Sequence, residues 1–564
     1  MTQRHGHPDL LARVMAGRGV SLEAAERWLD PALRDLMPDP STLRDMDAAV
    51  DRLKHAIERG EQIAIFGDYD VDGACSAALL AEFLDACAAP RRIHIPDRIF
   101  EGYGPNIPAI EQLADEGATL LVTVDCGTTS HEALAAARRR GLDVIVLDHH
   151  QAPAQLPDAL VVNPNRQDDL SGQGALCAAG VVFLTLVGLN RALRQAGFWT
   201  KERPAPDLLA GLDLVALATV ADVAPLVGLN RAFVAKGLQV MRGRRRAGLA
   251  ALIDVARLSG PAQAWHLGFL IGPRINAGGR IGDAALGARL MLTGDPAQAA
   301  AVAADLDRLN GERRAIEQAT VAAGEAEAMA ALGREGASAA IVVGGQDWHP
   351  GVVGLVAARL KEKFRKPAFA IAFNGETGVG SARSIPGVDL GAAVRAAVEA
   401  GLLVKGGGHA MAAGVTIERA RLGAFRAFLE ERLAGAVAAA TAADALRIDG
   451  ALTAAGATAE IVHMLHKAGP FGQGHPEPVF VLPRHRFTGA LVMGQDHLRI
   501  GAQAADGSRI DLLAFKHRES EIGRALEGQN GARAHFAVAL SLDHYGGRER
   551  VQARLIDMAF DRDY

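Results

Sequence analysis

The run Ile63–Phe66 is apolar without interruption, and polar residues begin immediately after it: Gly67, then aspartates at alternate positions, Asp68, Asp70 and Asp72, then Gly73. A short apolar run closed by glycine reads as a buried strand. The small residues after Gly73 lead into Ala77–Leu84, which suits a helix. Arg92–Ile95, Leu120–Val124, Val144–Leu147 and Leu160–Val162 predict further strands, and His131–Arg140 predicts a helix between two of them. Strands alternating with helices predict a parallel sheet covered on both faces. Helical patterns then dominate, over Ala178–Arg194, Asp207–Thr219 and Arg231–Met241. Residues 297–332 contain almost no Gly or Pro and predict one long helix bridging two domains.

A second α/β unit comes next. Its predicted order is strand Ala339–Val343, helix Val353–Phe364, strand Ala368–Phe373, helix Leu390–Glu399, strand Val415–Ile417 and helix Leu422–Leu433. Beyond an Ala-rich stretch at 436–445, the pieces Val479–Leu482, His497–Gly501, Ile510–Ala514, His535–Leu540 and Arg550–Leu555 are separated by Gly and Asp turns, the pattern of a small β-barrel. At the other end, Leu10, Leu11, Val14 and Met15 share a helix face, Ser21 with Glu23 and Glu26 opens a second helix, and Met46–Ile57 is a third. These predict a helical cap on the first α/β unit. The reading is thus α/β with an added barrel: a cap over 1–60, a parallel-sheet domain over 61–296, the bridging helix over 297–332, a smaller α/β domain over 333–437 and the barrel over 438–564.

Length and composition agree with this division. The 564 residues exceed what one core supports. The chain is 49% apolar and 22% charged, an ordinary globular balance, and its net charge of −5 means that any nucleic-acid contact comes from a local patch. Cys75, Cys87, Cys126 and Cys177 form no C-x-x-C pair and read as reduced core thiols in a cytoplasmic protein. No signal-peptide h-region is evident at the N-terminus, and no apolar run reaches the roughly 18 residues of a membrane span.

The polar residues at the strand ends change the picture most. Leu120–Val124 runs into Asp125, Val144–Leu147 into Asp148, His149 and His150, and the apolar string 214–220 into Asp222. Three like charges as close as Asp68, Asp70 and Asp72 repel, and a packed core gives no reason for them. One reading makes them helix caps beside two solvated histidines. The other, favoured by the whole set at strand ends of one sheet, is a divalent-cation site. Carboxylates with imidazole and no thiolate suit Mn²⁺ or Mg²⁺ better than structural zinc, and a set this size can hold two ions about 3.5–4 Å apart for phosphoryl chemistry. Anion-suited features accompany it: the Gly-rich loop Lys405–His409, a second loop with Ser381, Arg383 and Ser384 between glycines, and Arg98 and Arg280. Arg242, Arg244, Arg245 and Arg246 read either as a solvated helix end or as phosphate contacts.

DYDVDG (68–73), VDCG (124–127), DHH (148–150) and VADVAPL (220–226) resemble the four motifs of the DHH phosphoesterases, and GGGHAMAAG (406–414) resembles the signature of their DHHA1 domain. DRIFEGYGP (97–105), GPRINAGGRI (272–281), DWHPGVVG (347–354), SARSIPG (381–387) and PFGQGHPEPVF (470–480) are most similar to the RecJ family of single-strand-specific 5′→3′ DNA exonucleases. The resemblance runs from about residue 45 to the end. It implies a DHH domain, a DHHA1 domain and an OB-fold barrel that grips single-stranded DNA. It implies that Asp68, Asp70, Asp125, Asp148, His149 and Asp222 hold two Mn²⁺ or Mg²⁺ ions, and that His150 stands near the scissile phosphate. Asp72 either ligates or shapes the loop. Arg98, Tyr103, Arg280, Ser381 and Arg383 are implied to engage the terminal 5′ phosphate or nearby backbone, and Gly407, Gly408 and His409 to form the DHHA1 substrate loop. Also implied are a cytoplasmic, monomeric repair and recombination enzyme, with single-strand binding protein and repair helicases as partners. Two further readings are a DHH enzyme for short oligonucleotides or cyclic dinucleotides, which usually ends after DHHA1, and a non-catalytic DNA-binding relative, in which the motif acids are degraded. His475 stands where the family string has Asn, so local turn geometry there departs from the pattern.

Overall fold

Five parallel strands, β1 (Ile63–Gly67), β2 (Arg91–His94), β3 (Leu120–Val124), β4 (Asp143–Leu147) and β5 (Leu160–Val162), hydrogen-bond in the order β2-β1-β3-β4-β5. The computed structural model describes residues 1–332, 338–443, 445–545 and 548–561; position 333, where the second unit is expected to begin, and the expected last position, 564, lie outside them. β1 and β3 bury every residue, as strands covered on both faces must. Helices Val71–Ala86 and Ala178–Gln195 cover one face, where Leu80, Leu84, Val181 and Leu184 pack with Ile63, Ile65 and Val122. Helices Ile107–Asp115 and His131–Arg139 cover the other, with Phe66, Leu121 and Val146. From β1 the chain passes outward to β2 and then back to β3 on the other side of β1. This reversal opens a crevice beyond the carboxyl ends of β1 and β3, the usual ligand position in such sheets. The expected helix over 207–219 divides into a 3₁₀ turn, Leu208–Gly211, and a helix, Leu212–Ala221.

The long helix spans Pro296–Leu332. Ala299, Ala303 and Leu306 belong to the core of the first unit, while Ala328, Ile316 and Val321 pack on the second, so the one helix joins two cores. The second sheet holds β6 (Ile341–Gln346), β7 (Ala368–Asn374), β8 (Thr377–Arg383), β9 (Lys405–His409) and β10 (Ala412–Glu418), in the order β6-β7-β8-β10-β9. β6 and β7 are parallel and the other pairs antiparallel. Two expectations are corrected here. Lys405–His409 is not a loop but the edge strand β9, and Ser381–Arg383 is not a loop but the end of β8, paired with both β7 and β10. Glycines and serines carry no apolar alternation, so pairing with β10, not local pattern, makes these segments strands. The helix that starts at Leu422 runs on to Ala442, past the expected Leu433, because the Ala-rich continuation favours helix.

After the short β11 (Gly450–Ala451), the strands β12 (Phe480–Met493), β13 (His497–Gln503), β14 (Arg509–Ala514), β15 (Arg533–Tyr545) and β16 (Arg548–Phe560) close into a barrel through β12–β13, β13–β14, β14–β16, β16–β15 and β15–β12. Phe480, Leu482, Ile500, Leu512, Phe536 and Val538 fill it. Leu11, Val14, Met15 and Ala25 join that same core, and Arg18 forms a 2.8 Å ion pair with Asp449. Met46, Leu53 and Ile57 join the core of the first sheet instead. The N-terminal helices, expected as one cap on the first α/β unit, therefore divide between the two ends of the chain. Cys75, Cys87, Cys126 and Cys177 are free and buried.

Candidate active site

The carboxyl ends of β1, β3 and β4 deliver the acidic residues to one place. Asp68 leaves β1, Asp125 leaves β3, and Asp148, His149 and His150 leave β4, while Asp222 caps the C-terminus of helix Leu212–Ala221. Asp68, Asp70 and Asp125 bring carboxylate oxygens within 4.8 Å of one another, as do Asp72, His149 and Asp222, and Asp125 with His149 and His150. His149 Nε2 lies 3.3 Å from Asp125 Oδ1 and 3.8 Å from Asp222 Oδ2, linking the groups. Asp125 holds φ at 62°, an uncommon value for a residue with a Cβ and the kind of strain that gathers at working sites. The turn after β1 needs Gly73, since a Cβ there would stand 2.4 Å from the Asp68 carbonyl oxygen.

Asp148, expected as a ligand, and Asp72, left open between ligand and loop residue, also accept hydrogen bonds from other groups. Asp72 accepts hydrogen bonds from the backbone N–H of Ala178 and Ala179, at 2.7 and 2.8 Å, and so anchors the N-terminus of helix Ala178–Gln195. Its Oδ2 remains 3.8 Å from His149 Nε2, the same distance as Asp222 Oδ2, so Asp72 also stays within the cluster. Asp148 falls in none of the ligand groupings among the described residues. Its oxygens accept from Thr128 N–H and Oγ1–H, from the backbone N–H of His149 and His150, and from His150 Nδ1 at 2.8 Å. Asp70 accepts from the N–H of Asp72 and Gly73, a helix N-cap, so that the capping reading holds alongside the cation reading.

Electrostatics sharpen the contrast. Burial, with Asp70 beside it, pushes the Asp68 carboxyl well above the usual range. Burial and the neighbouring aspartates do the same to Asp125, and Asp222 is pushed up to about 9 by burial with Asp72 and Asp70. Burial pushes Asp148 up too, but the His150 ring and the Thr128 hydroxyl more than reverse it and hold it below the carboxylate range. Burial lowers His150, yet its bond to Asp148 raises it to about 9, which favours the cationic ring in the metal-free protein. Buried and without a hydrogen-bond partner among the described residues are Asp68 Oδ1, Asp125 Oδ1 and His149 Nε2. Unsatisfied buried acceptors of this kind are costly, and hard oxygen and imidazole donors converging on one point fit a divalent cation.

Beside this cluster stands a positive one. Burial and the charges of Arg98, Arg313 and Arg383 push Arg280 down to about 10, and burial with Arg98 lowers Arg383. Among the described residues no carboxylate pairs with Arg98, Arg280 or Arg383. Arg98 lies over the Tyr69 ring at 5.1 Å, and Tyr69 meets Tyr103 edge-on. The Tyr103 hydroxyl reaches the Asp125 carbonyl at 3.2 Å and His150 Nδ1 at 3.3 Å, so the two clusters are continuous. Arg280 donates to the Gly351 carbonyl at 2.9 Å, and a Cβ on Gly354 would come 3.2 Å from Arg383 Nη2 and 3.5 Å from Ser381 Oγ. The loop before helix Val353–Phe364 thus joins arginines of both α/β units at that helix's N-terminus, where an anion is favoured. His409 ends the exposed edge strand β9, and burial, Arg383 and His150 lower its pKa. A Cβ on Gly391 would stand 2.7 Å from the Gly408 carbonyl oxygen, so helix Leu390–Glu399 packs closely on β9 there; Gly407, also in β9, has open space around its Cβ position. The arginine run lies apart from these contacts: Arg246 is tied to Glu82, Asp213 and the Met291 carbonyl, and Arg244 to Asp254.

Residues that pattern reading passed over complete the loops. Asn163 donates to Thr128 Oγ1 and to the His150 carbonyl, both at 2.9 Å, and Asn165 donates to the His149 carbonyl. Asn276 accepts from the Val71 N–H at 3.2 Å. The string NPN directly after β5 is the available signal, since Asn beside Pro after a strand marks a structured turn.

Three family models match the chain: the DHH family N-terminal domain over 62–219, the DHHA1 domain over 336–435 and the RecJ OB domain over 448–557. The single-stranded-DNA-specific exonuclease RecJ of Salmonella typhimurium is 35% identical over 567 residues, 98% of this chain and 96% of that protein. The crystal structure of RecJ in complex with Mn²⁺ from Thermus thermophilus superposes with a TM-score of 0.80 at 30% identity, covering 100% of this chain and 77% of that one. The same organism's RecJ in complex with Mg²⁺ gives 0.75 at 29% identity, covering 100% of this chain and 76% of that one.

Proposed function

The chain belongs to the RecJ family of single-stranded-DNA-specific exonucleases, and on that footing we propose that it is a metal-dependent exodeoxyribonuclease that degrades single-stranded DNA from the 5′ end and releases 5′-mononucleotides. The observation that carries the reading is the set of buried, unpartnered atoms on Asp68, Asp125 and His149 that face one another at the sheet's crevice. Asp68, Asp70 and Asp125 would hold one Mn²⁺ or Mg²⁺ ion, and Asp222 with His149 would hold the second. Two dications bound there would supply an acidified water and charge neutralisation at the phosphoryl oxygens, the chemistry of in-line phosphodiester hydrolysis.

The chain's own residues do the rest. Asp148 holds the His150 ring through Nδ1 and so orients its other nitrogen toward a non-bridging oxygen of the scissile phosphate. Tyr103 steadies the same ring. Arg98, Arg280, Ser381 and Arg383 hold the terminal 5′ phosphate, which selects a strand end. Gly407, Gly408 and His409 run beside the bound nucleotides, and the barrel holds the strand farther along. Asp72 serves chiefly to fix the helix behind the cluster. We place the enzyme in DNA repair and recombination in the cytoplasm, acting as a monomer and meeting single-strand binding protein and repair helicases at its substrate. No helix among the described residues is long and apolar enough to cross a membrane.

The test compares rates on a 5′-phosphorylated long single strand, the matching duplex and a dinucleotide, with Mn²⁺ or Mg²⁺ and with chelator. Fast, metal-dependent shortening of the single strand from its 5′ end is expected. A preference for the dinucleotide would move the chain to the short-oligonucleotide enzymes. Binding without cleavage would move it to the non-catalytic relatives.

A further inference from the structure

The turn that carries Asp222 is held by the barrel region, not by its own domain alone. Asp222 is followed by Val223 at φ 59°, then Ala224, Pro225 and Leu226. The Leu226 N–H donates to the Gln473 carbonyl at 2.7 Å. Gln473 sits at the tip of a tight turn in which Gly472 and His475 exchange backbone hydrogen bonds of 2.9 and 3.1 Å. The glycines of that turn press directly on the Asp222 loop: a Cβ on Gly472 would come 2.8 Å from Leu226 Cδ1, and one on Gly474 3.1 Å from Pro225 Cβ.

The far side of the turn is set in a socket. The His475 ring is 3% exposed and its Nε2 donates to the Ala468 carbonyl at 2.8 Å. It meets Trp28 edge-on at 5.3 Å and lies tilted on Phe471 at 5.1 Å. Arg231, which is buried with no carboxylate partner among the described residues, donates to the carbonyls of Ala468 and Gly469 at 3.1 and 2.6 Å and stacks over Trp28 at 4.1 Å. Arg231 belongs to helix Gly228–Arg242, which begins two residues after Leu226. The turn is thus gripped from the catalytic unit, the N-terminal helices and the barrel region at once, and it presses on Pro225 and Leu226, three and four residues beyond Asp222.

We propose that His475 is a positioning residue for Asp222: it fixes the 472–475 turn, whose Gln473 carbonyl and glycines hold the Pro225–Leu226 segment and so set how firmly Asp222 holds its cation. The inference rests on the reading of Asp222 as a metal-holding carboxylate. Partners that hydrogen-bond a metal ligand directly are typically worth about 10–100-fold in metal affinity, and His475, acting through the 472–475 turn, belongs at the low end of that range.

The experiment is direct Mn²⁺ binding to the full-length protein, followed by EPR of the free ion, for the wild type, His475→Ala, His475→Asn and Gly472→Ala. His475→Ala is expected to weaken the second Mn²⁺ equivalent about tenfold or more, with the same shift in the Mn²⁺ concentration for half-maximal cleavage, little change in KM for DNA, and recovery of kcat at high Mn²⁺. His475→Asn, whose amide can also donate to the Ala468 carbonyl, is expected to restore most of the affinity. If His475→Ala does not fold, Gly472→Ala decides the matter, because its added methyl meets Leu226 Cδ1 at 2.8 Å and Cγ at 3.3 Å and no backbone atom within 4 Å, and it too is expected to weaken the second ion. Folded variants that bind both equivalents as the wild type does would overturn the proposal, even if they are less heat-stable. A wild type that binds no Mn²⁺ would instead overturn the metal reading of the site beneath it.

Discussion

At the scale of the residue, identical side chains do opposite work according to what surrounds them. Asp125 and Asp148 both follow strands of one sheet and are both buried, yet burial and acidic neighbours push one up while donors more than offset burial and hold the other down. Asp125→Ala should lose several kcal/mol of charge stabilisation, about a thousandfold or more in cleavage rate, while anisotropy measurements still find single-stranded DNA bound. Asp148→Asn should lower the rate about 10–100-fold. It should also move the alkaline limb of the pH–rate profile down, because His150, at about 9 beside the carboxylate, loses the partner that keeps it charged. Stability carries the same logic. Asp222 has a folded value of about 9 against 3.8 unfolded, so between those values the folded metal-free protein holds a proton that the unfolded chain has released. Stability in chelator should therefore be greatest at the acid end of that window and fall as pH rises through it. His150, raised from 6.5 to about 9, adds a loss of the same sign. Melting curves in chelator at successive pH values should show this slope, and Mn²⁺ should flatten it by displacing the protons.

At the scale of the element, the arginine cluster shows how two sheets make one binding site. Arg98 follows β2, Arg280 ends helix Gly272–Ile281 and Arg383 ends β8, and their charges act on one another without a carboxylate partner among the described residues. Arg383→Met should raise KM for a 5′-phosphorylated strand and shrink the preference for a 5′ phosphate over a 5′ hydroxyl. In the DNA-free protein the same change should leave the melting temperature equal or higher, since it relieves repulsion. A clear fall in melting temperature, with the phosphate preference intact, would show Arg383 to be structural. Most of these elements were legible from periodicity, because β1, β3 and β4 coincide with mostly apolar runs and the helices have clear apolar faces. β9 and the end of β8 were not, because glycine and serine leave no pattern until a neighbouring strand supplies the pairing.

At the scale of the whole molecule, the two ends of the chain fold together. Leu11, Val14 and Met15 complete the barrel core, and Arg18 pairs with Asp449 in a buried bridge. Removing residues 445–561 alone should leave those apolar side chains bare and give a protein that aggregates. Removing residues 1–30 as well should restore a monodisperse product in size-exclusion chromatography, with weakened hold on single-stranded DNA. An equally soluble product from the first truncation would count against the shared core. Nothing in the local pattern of residues 9–29 distinguishes a helix meant for the neighbouring sheet from one meant for a barrel some 450 residues away, since amphipathic faces are interchangeable until partners are fixed.

The sequence by itself determined which residues are acidic at strand ends, which runs are strands and helices, and, through its motifs, the family. Charge and hydrophobic periodicity are local properties, and they survive being read one residue at a time. Only the tertiary structure decided how the acids divide: Asp68, Asp70, Asp125, His149 and Asp222 face one another, whereas Asp148 and largely Asp72 spend their oxygens on backbone, hydroxyl and imidazole donors. It also decided that His475, distant in sequence, buttresses the Asp222 turn. A carboxylate's role depends on which donors reach it, and those donors come from segments that only folding brings within about 3 Å.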